Sequence, residues 1–130
     1  MSGLLGLEPV VRLRLENHLL GRRYPADGFV QGVIDTGYQG FIAVPAEVFA
    51  SLSLHLLKKA SRELRLADGR GLKSESALAT ARVAGLEVEV DGPVETIPGL
   101  AEVLVGTRFL SRFRLELDYC LQRASLAACG

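Results

Sequence analysis

The 130-residue chain is long enough for one domain, which at that size buries about two-thirds of the surface its unfolded form exposes. Fifteen basic and fifteen acidic side chains cancel, so no basic excess exists to neutralise phosphates, and nucleic acid is not an expected partner. Two cysteines, Cys120 and Cys129, are too few for a disulfide framework or a four-ligand zinc site, and His18 and His55 lack ligand spacing; no metal site is expected.

The opening stretch Met1 to Leu7 has no positive leading segment and soon gives way to Arg12 and Arg14, unlike a secretory signal. No apolar run approaches bilayer length, so a cytoplasmic protein without membrane contact is expected. Val11, Leu13 and Leu15 alternate with Arg12, Arg14 and Glu16 at the period of a half-buried strand. The same alternation returns at Leu86, Val88 and Val90, and at Phe113, Leu115, Leu117 and Tyr119. Turns are expected at Tyr24 to Gly28, Ala67 to Gly69, Val90 to Pro93 and Ile97 to Gly99, where glycine or proline can reverse the chain. Short helices are expected over Pro45 to Leu54, with proline in the first turn, and over Thr107 to Phe113. Many short strands with frequent turns predict an all-β sandwich or barrel. One domain covers residues 1–130, with its core over 9–119 and a weakly ordered tail over 120–130 unless a partner chain holds it.

The run Val33-Ile34-Asp35-Thr36-Gly37 brings a carboxylate out at the end of an apolar strand and follows it with a hydroxyl and a glycine that permits a tight turn. The spacing suits an acid presented for chemistry, although a strand-end Asp can equally bond turn amides. Asp27-Gly28, Asp68-Gly69, Asp91-Gly92 and Asp118-Tyr119 all fail the Asp-Thr/Ser-Gly pattern. A second catalytic acid would therefore have to come from another copy of the chain.

Three blocks taken together resemble the retropepsin-like aspartic peptidases, in particular their short bacterial single-domain members. They are Val33 to Phe41 followed by Val44-Pro45, then Leu66-Ala67-Asp68-Gly69, then Val103 to Leu110 with Phe113 to Tyr119. The resemblance implies a closed, mostly antiparallel barrel with one or two short helices that works as a homodimer. It makes Asp35, Thr36 and Gly37 the catalytic motif, Asp35 meeting its twin across the twofold axis and Thr36 bonding across the interface. Val105-Gly106 would pack beside the catalytic loop. Leu66, Ala67, Asp68, Gly69 and Arg70 would belong to a flap over bound peptide, and Ile34 and Tyr38 would contribute to substrate pockets.

Two carboxyls about 3 Å apart cannot both ionise cheaply, so such a pair shares one proton and supplies base and acid together. The implied activity is hydrolysis of extended peptide segments with no cofactor, dependent on dimer concentration and bell-shaped in pH. The chain departs from the family at Tyr38, where Ser or Ala is usual; the residue either lines the cleft or packs in the barrel. The rival expectation is a non-catalytic dimeric module on the same fold that binds an extended peptide without cutting it.

Overall fold

The computed structural model describes residues 9–65 and 68–129. The alternating segment at the start forms β1 (Val10–Asn17), whose Leu13 and Leu15 are completely buried while Arg12 faces solvent. The chain continues through β2 (Arg22–Tyr24), β3 (Val30–Ile34) and β4 (Ile42–Val44). Helix α1 (Ala46–Ser51) and a 3-10 turn (Leu54–Leu56) follow, and Pro45 leads into the helix from extended backbone. Strands β5 (Ala60–Arg65) and β6 (Gly71–Val83) form a hairpin, and β7 (Glu89–Thr96), β8 (Val103–Val105), α2 (Thr107–Leu110), β9 (Phe113–Asp118) and β10 (Arg123–Ala128) complete the order.

Six strands close a barrel in the order β1-β3-β8-β4-β7-β6, with β6 returning to β1 through the pairing of Leu13 with Val83 and Leu15 with Ala81. Strands β2 and β5 extend the sheet at its flanks. An all-β barrel with two short helices is therefore present among the described residues, and its pairing is mixed: most neighbours are antiparallel and two are parallel. β8 runs parallel to β3, and β4 runs parallel to β7. The reason is topological: β3 and β4 are consecutive in sequence but separated in the sheet by β8, which arrives from the far end of the chain. Alternation of side chains carries no strand direction, so the parallel pairs leave no trace in the pattern.

The barrel interior is apolar. Ile42, Val44, Val94, Val105 and Phe109 have no exposed surface. Phe41 meets Phe109 edge to face at 5.4 Å, and Phe109 lies 5.1 Å from Phe113.

Two expectations require correction. Val90 to Pro93 do not turn; they run through the middle of β7, with Gly92 opposite Ala79 and Pro93 opposite Leu78. Gly92 is there for space, because a Cβ would come within 2.6 Å of the Phe41 ring. The strand expected from Leu86 begins only at Glu89, since Ala84-Gly85 make the turn and Gly85 has φ of 83°. Within the expected tail, Arg123 to Ala128 pair with Phe113 to Asp118 along six positions, and Ala124 and Leu126 pack against the core. Among the described residues no helix is long and apolar enough to cross a membrane.

Candidate active site

β3 delivers Asp35 to the end of the barrel. Ile34 is locked into the core and paired with Val105, so the next residue emerges at the rim. The Asp35 N–H donates to the Val105 carbonyl at 3.0 Å, and the Asp35 carbonyl accepts the Tyr38 N–H at 3.1 Å. These two bonds define a tight loop. Within it the Gly37 N–H donates to Asp35 Oδ1 at 2.9 Å, which orients the half-buried carboxylate, while Thr36 and Gly37 are exposed.

The segment after β8 holds this loop from beneath. Gly106 N–H donates to the Phe41 carbonyl at 2.9 Å, Thr107 N–H to the Tyr38 carbonyl at 3.0 Å, and Arg108 N–H to the Gly40 carbonyl at 3.1 Å. Residues 38–41 and 106–108 are thus joined main chain to main chain, with the Tyr38 ring lying against Gly106.

The Tyr38 side chain points to a cluster that the sequence did not announce. Its hydroxyl donates to Glu95 Oε1 at 2.6 Å. Arg62 donates to both carboxylate oxygens, from Nε to Oε2 at 2.6 Å and from Nη2 to Oε1 at 2.8 Å, and the Ser74 hydroxyl donates to Oε2 at 2.5 Å. Glu95 is 4% exposed, so this is a buried carboxylate satisfied by three neighbours. Burial by itself pushes its pKa up, but the bonds from Arg62, Ser74 and Tyr38 together outweigh that and hold it at about 2. Burial also pushes the Tyr38 phenol up, reinforced by its bond to the Glu95 anion, so the phenol keeps its proton. A glutamate in an alternating strand reads as solvent-facing; its donors come from three distant segments, and only the unusual Tyr38 hinted at them.

The remaining expected site residues fall into separate groups. Asp68, Gly69 and Arg70 lie at the tip of the β5–β6 hairpin, where Asp68 accepts the Arg70 N–H at 3.0 Å and its Nε at 2.6 Å. Both side chains are exposed and engaged with one another. Leu66 and Ala67 lie outside the described residues. Ile34, expected beside a substrate pocket, is instead a core residue at 6% exposure, because β3 turns it inward toward the barrel. Cys120 and Cys129 are exposed free thiols.

His18 is less isolated than the sequence implies. Its Nε2 lies 3.4 Å from Glu16 and 3.8 Å from Glu89, and one ligand atom from each of the three falls within 4.8 Å of the others. Arg82 also reaches both carboxylates, so a cation already balances the pair.

No family model matches the sequence. An uncharacterized protein of Archaeoglobus fulgidus is 40% identical over 121 residues, spanning 93% of this chain and 94% of the archaeal one.

Proposed function

The chain belongs to the same family as the Archaeoglobus fulgidus protein, and we propose that it is a homodimeric, retropepsin-like aspartic endopeptidase of the cytoplasm acting on extended peptide segments. The observation that carries this reading is the loop of Asp35. Its carboxylate is aimed by the Gly37 N–H at the rim of a closed barrel, on a loop braced by main-chain bonds from Val105 to Arg108. Thr36 and Gly37 are exposed beside it, available to a second copy.

In the dimer, two Asp35 carboxyls share one proton. The ionised one takes a proton from water while the oxygen of that water adds to the peptide carbonyl carbon. The protonated one gives its proton to the carbonyl oxygen. Collapse of the tetrahedral species then breaks the C–N bond: the departing nitrogen takes a proton from the carboxyl that first received it, and the other carboxylate takes one hydroxyl proton as the C=O bond re-forms, which restores the single shared proton. A β-extended substrate would offer main-chain groups to the β5–β6 hairpin and alternate side chains to alternate pockets.

The test is cleavage of a broad peptide library between pH 3 and 7 by the wild type and by Asp35→Asn. The reading expects discrete cleavage by the wild type, none by the variant, and binding of a statine-type peptide by the wild type. A folded wild type that binds extended peptides and cuts none of them is a non-catalytic module instead.

A further inference from the structure

Glu95 on β7 accepts bonds from three places that the chain keeps far apart: Tyr38, three residues after Asp35; Arg62 on β5; and Ser74 on β6. Arg62 and Ser74 are directly opposite one another in the hairpin, so both arms are gripped at the same level. Among the described residues β5 pairs with no strand but β6, so it forms the edge of the sheet. One buried carboxylate therefore joins the root of the hairpin to the loop that presents the candidate catalytic acid.

We infer that Glu95 is a positioning residue, which fastens the β5–β6 hairpin to the Asp35 loop through Tyr38, Arg62 and Ser74 and so fixes where the hairpin stands relative to that loop. The role in substrate binding rests on the endopeptidase reading, whereas the fastening itself does not. It accounts for tyrosine where a small residue is usual in the resembled family: the Tyr38 side chain carries its hydroxyl from the loop to Glu95 on β7, which a serine or alanine is too short to reach. A carboxylate held ionised to about pH 2, facing a phenol that keeps its proton, stays bonded throughout the range in which a paired aspartate site works.

The experiment compares wild type, Tyr38→Phe, Arg62→Gln and Arg62→Lys by amide hydrogen exchange and, where cleavage occurs, by steady-state kinetics. Tyr38→Phe removes one oxygen from the loop side, and the two Arg62 variants act from the hairpin side. Each of Tyr38→Phe and Arg62→Gln is expected to speed exchange of the amides around Arg62 and Ser74 by about tenfold or more, with protection in β1 and β3 retained. Arg62→Lys, which keeps the charge, restores part of the protection. In cleavage assays the loss falls mainly on KM, because a loosened hairpin holds substrate less well. Unchanged hairpin exchange in both Tyr38→Phe and Arg62→Gln overturns the inference, as does a rise spread evenly over the barrel. Localised loosening in a wild-type background that cuts no peptide supports the fastening and rejects the endopeptidase reading alone.

Discussion

The carbonyl oxygen of Gly40 occupies the space that a Cβ on Gly106 would need, and the Tyr38 ring crowds the same space, its Cδ2 2.7 Å from that Cβ position. Contact with a backbone oxygen cannot be relieved by a rotamer change, and the same stretch carries the bonds from Gly106, Thr107 and Arg108 to the loop. Gly106→Ala is therefore expected to push residues 38–41 away from β8 and to cost about 2–4 kcal/mol of stability. Urea denaturation measures the loss. Because the Asp35 loop rests on this joint, the proposed endopeptidase function adds a second expectation: peptide cleavage falls further than stability accounts for at temperatures where the variant is fully folded.

The Glu95 cluster predicts a pH dependence of stability with a definite sign. Its carboxyl moves from an ordinary value of 4.5 to about 2 in the folded protein. Between these limits the unfolded chain binds the proton and the folded one does not. The stabilisation is thus fully present above about pH 4.5 and is lost as pH falls toward 2, on the order of 2 kcal/mol once the half-exposed Arg62 is discounted for solvent screening. Urea midpoints across pH 2 to 6 should decline steeply at the acid end for the wild type and less steeply for Glu95→Gln. Equal acid slopes in the two proteins would remove Glu95 as the cause.

Asn17 closes the end of β1 with two bonds: its Nδ2 donates to the Leu52 carbonyl at 2.9 Å, and its Oδ1 accepts the Leu20 N–H at 3.3 Å. The side chain is 1% exposed. Asn17→Ala strands the buried Leu52 carbonyl and should cost about 1–3 kcal/mol, seen as a lower denaturant midpoint at unchanged slope. His18→Ala on the neighbouring, exposed side chain should change stability by less than about 0.5 kcal/mol.

These residues also show what the sequence could and could not disclose. Val11, Leu13 and Leu15 are buried on one side of β1 because a strand with one face on the core writes its orientation into alternate positions. Thr107 to Leu110 form a helix within the expected stretch because Phe109 and Leu110 both turn inward. Asp35 stands out because Asp-Thr-Gly after an apolar strand is a local pattern. Gly92-Pro93, by contrast, carries a local turn signal overridden by a tertiary demand, the Phe41 ring against β7. Glu95 was illegible for the opposite reason. Nothing near it in the chain differs from a solvent-facing glutamate, and its meaning lies entirely in Tyr38, Arg62 and Ser74. The parallel pairs depend on β8 inserting between β3 and β4, a long-range event that no window of residues records.

If each subunit supplies half of an acid pair, activity depends on the identity of both partners, and this can be read without a structure of the dimer. Mixing wild type with an equal amount of Asp35→Asn, under conditions that let subunits exchange, leaves about a quarter of the dimers with two intact acids. The activity per wild-type chain should then fall to about half, and continue downward as the inactive chain is raised in excess. Dilution of the wild type alone should give a faster than proportional loss of rate once the dimer begins to dissociate. A site complete within one chain predicts the contrary on both counts: constant activity per wild-type chain in every mixture, and a rate strictly proportional to concentration.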